Sequence, residues 1–340
     1  MNGAVSLPKT SAMAKPAPAA VPISASTPAA PQPSLGRDRV PWDPSVWQQI
    51  DAAVVGEAMR TRVARNFLPV QTVSAANSVV APEDIHAPET QSEVLTIDEG
   101  EAIRINEYWV EFALTPTQVA EASMSIGDNA AVTLATRGAN LLAQAEDLIL
   151  FQGEEAFTLG GERSVFARGV RHRGAPHGSG LLGLGSKNRI NPQQVIKVPR
   201  APDGHMAVYG EHTFKAIAEA YAKFQGEGQC GAYAVVLQTT PYADAFSPLG
   251  TTLTTPADRI SPLMTAGFYG TGLLPVSDKE PRFMGLVAAP GASSMDMVLG
   301  LDITTAFTQQ SADGQFRFRV VERFALRLKN PASVIRLEFQ

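Results

Sequence analysis

The sequence predicts an α+β protein, and three observations indicate this class. Segments with helical periodicity alternate with segments of strand-like alternation along most of the chain. Apolar residues make up 44% of the 340 residues, which is enough to fill the core of one large domain with subdomains or of two ordinary domains. No segment repeats at a fixed period. We therefore expect a globular protein in which helices and strands pack as layers.

Charge and cysteine content exclude several classes of function. The formal net charge of -5 disfavours nucleic acid as the main partner, because such proteins need a basic surface. Cys230 is the only cysteine, which excludes an intrachain disulfide and fits the reducing cytoplasm. No uninterrupted apolar run approaches the roughly 20 residues of a membrane span, so no membrane partner is expected.

Residues 1–42 are rich in proline, alanine and serine and lack the continuous apolar run of a signal peptide. Such a segment cannot bury enough apolar surface to offset its ordering entropy, so it is predicted to be a disordered arm. Order is expected to begin at Asp43 and Pro44, which suit the N-cap and first turn of a helix. This helix is predicted over 44–65. Its apolar stripe consists of Trp47, Ile50, Val54 and Ala58.

The next segment, residues 71–113, is polar and is predicted to form long hairpin-like strands. It carries nine acidic residues against a single basic residue, Arg104. Such a ribbon has little core of its own and needs a neighbour to lie on. A second long helix is then predicted from about 128 to 152, where Gly153 is placed to end it.

Helix and strand alternate through the middle of the chain. A glycine-rich and locally basic stretch over 153–210 precedes a predicted helix over 211–224 and a buried strand over 232–237. Two further strands are expected near 272–277 and 283–289.

The segment from Phe316 to Lys329 has the clearest local pattern. Its apolar residues occupy even positions and its basic residues occupy odd positions, with the period broken at Val321 and Glu322. A strand with one buried and one cationic face is predicted, followed by a turn and a final strand over 334–339. The basic residues are Arg317, Arg319, Arg323, Arg327 and Lys329.

No motif in the chain indicates catalysis or metal binding. Residues 180–187 resemble a phosphate-binding loop, but Gly-Ser-Lys stands where that motif needs lysine before the hydroxyl residue. The histidines lie at spacings that come without neighbouring cysteines or a paired carboxylate motif. Glu146 and Asp147 are adjacent on a helix and point in different directions. We therefore predict no catalytic residue and no metal site.

Several short motifs occur in a fixed order along the chain. They are W-x-x-I-D from Trp47 to Asp51, A-R-N-F from Ala64 to Phe67, E-D-x-x-x-F-x-G from Glu146 to Gly153, G-L-L from Gly180 to Leu182, L-G-x-D-I from Leu299 to Ile303, and F-x-L-R-L-x-N-P from Phe324 to Pro331. Together they resemble family 1 encapsulins, which are also known as linocin or bacteriocin-family proteins. The resemblance extends over about residues 43–339.

The resemblance implies the HK97-like capsid fold. An N-terminal helix would occupy 43–70, an extended E-loop 71–113, a P domain with its spine helix 114–170 and 300–340, and an A domain 171–299. Residues 1–42 would form an additional arm inside the shell, because the N-terminal helix faces the lumen in this family.

The resemblance also implies a function. The family's protomers close into icosahedral cages in the cytoplasm and enclose a cargo enzyme, such as a dye-decolorizing peroxidase or a ferritin-like protein, by a short cargo tail. The chain itself would be no enzyme. Some relatives bind flavin beside a tryptophan before the spine helix, but residues 116–119 contain no tryptophan, so no cofactor is expected. The implied cargo groove consists of Trp47, Ile50, Asp51, Val54 and Ile303.

Opposite charges suggest how neighbouring protomers keep their register. The E-loop of this fold lies across neighbouring protomers, and its acids are opposite in sign to the cationic strand near the C-terminus. We hypothesise that these groups pair between subunits and contribute specificity more than affinity, with a solvated surface as the alternative. The residues concerned are Glu93, Asp98, Glu99 and Glu101 on the E-loop, and Arg317, Arg319, Arg323 and Arg327 on the strand.

Two other functions stay open at this point. A phage major capsid protein shares the implied fold, although an E-loop without lysine cannot form the lysine-asparagine cross-link of some phage capsids. A bacteriocin-type or protease-type enzyme is the second alternative, as the older family labels suggest.

Overall fold

The computed structural model describes residues 35–86, 94–98, 100–124, 129–158, 165–174, 178–184, 190–202, 208–248 and 254–340. Within these ranges helices and strands are mixed along the chain, as expected of an α+β protein. The disorder and lumenal position predicted for the arm concern residues that are mostly outside the described ranges.

The described helices follow the predicted order, with additions. They are α1 (Pro44–Thr61), α2 (Pro116–Met124), α3 (Ala130–Gln152), α4 (Glu155–Thr158), α5 (Gly210–Gly226), α6 (Thr239–Asp244) and α7 (Pro256–Ile260). Short 3-10 turns lie at Arg37–Arg39, Ala64–Asn66, Pro192–Gln194 and Pro331–Ser333. The sequence analysis did not predict α2, which immediately precedes the spine helix α3.

The described strands are fourteen in number. They are β1 (Val70–Thr72), β2 (Val79–Val80), β3 (Asp84–His86), β4 (Thr96–Asp98), β5 (Ile103–Arg104), β6 (Asn106–Leu114), β7 (Val170–Arg173), β8 (Val195–Val198), β9 (Ala234–Gln238), β10 (Gly267–Thr271), β11 (Phe283–Ala288), β12 (Met295–Gln310), β13 (Phe316–Leu328) and β14 (Val334–Phe339). The strand expected near 272–277 lies earlier, as β10. The predicted final strand has the observed bounds of β14.

The first sheet has the order β1-β12-β13-β6-β7 and holds the long antiparallel pair β12 and β13. Helices α1 and α3 pack together on one face of this sheet and enclose the larger core with it. On the other face a small cluster of Ile105, Val298 and Ala325 lies under the extended segment, which we define as the described residues of 73–105. The sheet therefore separates the helical core from this extended segment.

The second sheet has the order β10-β9-β11-β14-β8 and is covered by α5 on one face. Strand β9 is buried on both faces, because Ala234 and Val236 join the larger core while Val235 and Leu237 join the core beneath α5. This double burial explains why β9 shows an apolar run instead of alternation.

The two sheets cross the residue ranges of the predicted domains, and the division into domains stays a prediction. Strand β14 belongs to the second sheet, between β11 and β8, although residues 300–340 were assigned to the P domain. Strand β12 lies wholly in the first sheet and crosses the predicted boundary at residue 300. Strand β6 likewise pairs with β13, although most of it falls in the range 71–113 predicted for the E-loop. Pairing with distant strands, which local pattern does not encode, decides which sheet each strand joins.

The chain is already packed before the predicted start at Asp43. The indole of Trp42 is buried, stacks on Phe318 with ring centroids 5.1 Å apart, and donates from Nε1 to the carbonyl oxygen of Val119 at 2.8 Å. The amide of Phe307 donates to the carbonyl oxygen of Leu35 at 2.8 Å. Residues 35–42 are thus packed against the rest of the protein, because the indole of Trp42 is buried against Phe318.

Local signals set most helix ends. Helix α1 begins at Pro44 as predicted but ends at Thr61, since Arg62 turns to an extended backbone with φ -68 and ψ 137. Helix α3 is capped by Asn129, whose side chain accepts from the amide of Val132 at 3.0 Å.

Candidate functional site

The apolar stripe of α1, on which the predicted cargo groove rests, faces the core. The side chains of Trp47, Ile50 and Val54 are 6%, 1% and 0% exposed and belong to the larger core. Trp47 packs edge-on against Trp42, with ring centroids 4.8 Å apart. In this arrangement these three residues support α1 from beneath. Trp47 also lines a surface cleft of about 420 Å³ together with Asp51, and their role in a cargo groove stays a prediction.

Asp51 lies at the edge of that stripe and holds the segment before α1. Its Oδ1 accepts from Nη2 of Arg37 at 2.7 Å, and the same guanidinium donates to the carbonyl oxygen of Thr305 at 2.7 Å. The guanidinium also lies over the Trp47 ring, 4.7 Å from the ring centroid. Asp51 therefore links α1 to β12 through Arg37.

A cleft of about 310 Å³ opens beside this point, between the C-terminal half of α1 and strand β12. Its residues combine an apolar floor with a charged rim. Val55 and Met59 on α1 are 39% and 69% exposed, although both are large apolar residues. Ile303 is the residue of the predicted groove that lines this cleft. The lining residues are Val55, Met59, Arg62, Arg65, Asn66, Asp302 and Ile303.

An ion pair forms the charged rim of the cleft. Nη1 of Arg65 lies 2.8 Å from Oδ1 of Asp302, and Nη2 lies 3.1 Å from Oδ2, which makes the pair bidentate. Burial alone would raise the pKa of Asp302, but the hydrogen bond and the charge of Arg65 hold it below its usual value. The rim therefore presents one fixed anion and one fixed cation at the mouth of the cleft.

Behind the rim lies a buried charge cluster. Arg62 contacts Oε2 of Glu146 through Nε and Oε1 of Glu322 through Nη2, both at 2.7 Å. Both carboxyl groups are fully buried. Burial, together with the charge of Glu322, raises the pKa of Glu146 well above its ordinary value. The cluster ties the end of α1 to α3 and β13.

The backbone after α1 is held by a second carboxyl group of α3. Oδ2 and Oδ1 of Asp147 accept from the amides of Val63 and Ala64 at 2.8 and 2.9 Å. Burial raises the pKa of Asp147 to about 7, although these two hydrogen bonds oppose the shift. The adjacent acids Glu146 and Asp147, which the sequence did not indicate as cooperating groups, both hold the chain that follows α1, at Arg62 and at Val63 and Ala64.

The predicted cationic face of β13 has partners on the neighbouring strands β6 and β12 and on the extended segment of the same chain. Arg319 pairs with Glu107 at 2.9 Å, and Arg323 donates to the carbonyl oxygen of Asn77 at 2.9 Å and to that of Ala75. Arg327 is buried and pairs with Asp296 at 2.6 Å. Arg317 is exposed. On the opposite face, the buried Glu322 occupies an even position among apolar neighbours because Arg62 reaches it.

Of the four E-loop acids in the charge hypothesis, Asp98 and Glu101 are exposed. Glu93 and Glu99 lie outside the described residues. The pairing of these groups between subunits stays a prediction. Because Arg319 and Arg327 already have partners within their own chain, acids of a neighbouring subunit must compete with those partners.

Within the described ranges no group of three or more His, Cys, Asp or Glu residues is arranged to hold a metal ion. No helix among them is long and apolar enough to cross a membrane. The cleft suits binding of a chain segment, with apolar side chains on its floor and polar groups at its rim.

Sequence reasoning missed two apolar residues that line the cleft. Val55 and Met59 lie four positions apart on α1, on a flank outside the predicted stripe. The sequence signal that could have found them is a pair of apolar residues at i and i+4 on a helix whose core-facing stripe is already complete without them. Arg65 and Asp302 do occur in the quoted motifs, although their pairing depends on the fold.

A protein-family model matches the chain over residues 33–167 and 196–325. Its description is "Encapsulating protein for peroxidase", and the family is Linocin_M18. The type 1 encapsulin shell protein EncA of Myxococcus xanthus is 25% identical over 317 residues, covering 89% of this chain and 96% of that protein.

Two solved structures show the fold. The virus-like particle from Pyrococcus furiosus aligns with a TM-score of 0.59 at 14% identity, over 86% of this chain and 99% of that chain. The capsid of the Myoviridae phage XM1 aligns with a TM-score of 0.52 at 12% identity, over 82% of this chain and 91% of that chain. These likenesses confirm the predicted HK97-like capsid fold, which such particles and phage capsids share.

Proposed function

The chain belongs to the Linocin_M18 family of encapsulating proteins and is an encapsulin shell protein, and from this premise we propose that it encloses a tailed cargo enzyme. The shell assembles from many copies of the chain. The family description names a peroxidase as the enclosed protein. We extend this to a dye-decolorizing peroxidase or a ferritin-like protein in the cytoplasm, with catalysis left to the cargo.

We further propose that the cargo tail docks in the cleft between α1 and β12. The observation that carries this proposal is the exposure of Met59 and Val55 beside Ile303, which leaves apolar surface without cover in a helix whose core stripe is already buried. A docked tail would cover this apolar floor.

The charged rim supports the same occupant. Arg65 and Asp302 present opposite charges at the mouth, and Asn66 adds an amide beside them. These groups can pair with backbone and polar side chains of an extended tail and so fix its direction. The interaction is then a small apolar anchor with a polar frame.

Placing a charge on the apolar floor tests the docking site. Val55→Asp and Met59→Asp each put a carboxylate on surface that is already partly exposed, so the shell should still assemble. Shells purified from the native host should then lose their copurifying cargo, which mass spectrometry would detect. Gly56→Asp is the matched control, because it adds the same charge on the same helix where an added Cβ meets no atom within 4 Å.

The results separate the proposals. Shells of normal size by negative-stain microscopy with normal cargo in both floor variants would contradict the docking site. A wild-type chain that forms no closed particles would contradict the shell function itself.

A further inference from the structure

An ion cluster joins the extended segment to the end of β13. Buried Arg327 and Lys329 carry two positive charges, and the buried carboxylate of Asp296 carries one negative charge between them, 2.6 Å from Arg327 and 3.0 Å from Lys329. Two buried cations with one buried anion would leave an uncompensated charge, which is costly. A fourth group is therefore needed to balance the cluster.

Glu83 of the extended segment is that group. Its Oε1 lies 2.7 Å from Nη1 of Arg327 and its Oε2 lies 2.7 Å from Nζ of Lys329, so one carboxylate bridges both cations. The hydrogen bond from Lys329, with that from Arg327, lowers the pKa of Glu83 below its usual value. Glu83 completes a neutral cluster of two cations and two anions.

The backbone of Glu83 is unusual in a way that this role explains. Its φ of 56° lies in the left-handed region, and no other non-glycine residue in the described ranges has a positive φ. Glycine or asparagine would adopt this conformation at lower cost. Backbone strain of this kind persists where surrounding contacts enforce it, and here the two ion pairs supply those contacts.

The position of Glu83 next to β3 means that the cluster holds this strand against the end of β13. Glu83 immediately precedes β3, which among the described strands pairs with β4 alone, in a separate two-stranded sheet. The amide of Ile85 donates to the carbonyl oxygen of Lys329 at 3.0 Å, which fastens β3 to the same residue that Glu83 contacts. The paired strand β4 displays Ile97 at 63% exposure, beside Leu95 at 67%. Two three-residue strands with exposed apolar side chains have little packing of their own to fix their direction.

We propose that Glu83 is a positioning residue for shell assembly, which latches the β3–β4 strand pair to the end of β13 and so aims its apolar side chains at a neighbouring copy of the chain. The proposal rests on the shell function and specifies which residue sets the direction of the segment. Charge balance stabilises this contact, because moving Glu83 away would leave Arg327 and Lys329 with a single anion.

Three variants of the chain separate positioning from stability. Glu83→Gln keeps the side-chain shape and removes the charge. Glu83→Gly removes the charge and relieves the left-handed backbone. The double variant Glu83→Gln with Lys329→Met removes one anion and one cation, so the remaining Arg327 and Asp296 stay balanced while the latch is absent. Glu121→Gln, exposed on α2, controls for loss of a carboxylate.

The decisive measurements are hydrogen exchange at the Ile85 amide in dissociated protomers, melting temperature, and the fraction of chains in closed shells. Both single variants should raise exchange at Ile85 about tenfold and lower the shell fraction. The double variant should recover the melting temperature without recovering the shell fraction. Normal assembly of the double variant, or unchanged exchange at Ile85 in Glu83→Gln, would overturn the proposal. Because exchange is measured on protomers, it tests the latch even if wild-type chains form no shells.

Discussion

At the scale of single residues, the unusual feature is that two fully buried carboxyl groups share one guanidinium. Arg62 contacts both Glu146 and Glu322 at 2.7 Å, while Arg65 reaches Glu322 at 3.5 Å. Burial raises the pKa of both Glu146 and Glu322, and the charge of Glu322 adds to the shift of Glu146, which is raised well above its ordinary value. We therefore place the proton that the pair retains on Glu146. The neutral Glu146 lets Arg62 balance the remaining charge of Glu322.

Stability should therefore fall as the pH rises through the range where Glu146 loses its proton. The folded protein keeps this proton above the ordinary glutamate pKa of 4.5, whereas the unfolded chain has released it. The stabilising contribution is complete below that ordinary value and is lost as the pH passes the raised pKa. Glu146→Gln copies the neutral form, so its melting temperature should depend less on pH above the ordinary glutamate value of 4.5.

Thermal melts of both proteins across that range test the assignment. Asp147, whose pKa is raised to about 7, titrates in both proteins, so the difference between the two curves reports on Glu146 and on its interaction with the charge of Asp147. Parallel curves for wild type and Glu146→Gln would show that Glu146 does not hold the proton.

At the scale of elements, the end of the spine helix is fixed by close backbone approach. Gly153 follows α3 with φ 60 and ψ -132, a conformation that only glycine adopts readily. A Cβ at this position would collide with the backbone of Gly178, Ser179 and Gly180. Amides of Leu181 and Leu182 donate to the last turn of α3 at 2.9 Å, so this approach also satisfies its orphan carbonyl groups.

Two glycine-to-alanine substitutions should have opposite effects on stability. Gly153→Ala should destabilise the protomer by about 2 kcal/mol or more, because both backbone conformation and space are wrong for a side chain. Gly56→Ala, on the exposed face of α1 with no atom within 4 Å, should stabilise it by about 0.5–1 kcal/mol. Denaturant unfolding of dissociated protomers measures both values. A neutral Gly153→Ala would mean that the α3 exit can relax.

At the scale of the whole molecule, the charges of β13 already have partners within one chain. Arg319 pairs with Glu107, and Arg323 and Arg327 hold carbonyl groups of the extended segment. If acids of neighbouring subunits join these contacts, as the charge hypothesis predicts, they act on a segment that its own chain already holds. This favours a role in selecting register, as the charge hypothesis states.

Charge reversal at Arg319 should lower assembly and change its dependence on salt. A double swap, Arg319→Glu with Glu107→Arg, restores the pair within the chain but presents reversed charges to neighbours. If pairing between subunits matters, the swap should assemble as poorly as Arg319→Glu alone, as measured by the shell fraction at several salt concentrations. Full recovery by the swap would limit Arg319 to its own chain.

Local signals in the sequence determined several features of this protein. The start of α1 at Pro44, the end of α3 before Gly153 and the bounds of β14 depend on capping residues, turn residues and short alternation. Each of these signals involves residues within a few positions of one another. The ordered motifs also indicated the capsid fold and the encapsulin family, which the family model and the solved structures confirm.

Only the tertiary structure decided the rest. Strand β12 escaped prediction because most of its residues are buried on both faces, which removes the alternation that marks a half-buried strand. The partners of Arg62, the latch at Glu83 and the cleft beside Met59 each join residues far apart in sequence, as Arg62 and Glu322 do across 260 positions. Burial and charge balance are properties of what surrounds a residue, so the fold must bring those surroundings together before a site exists.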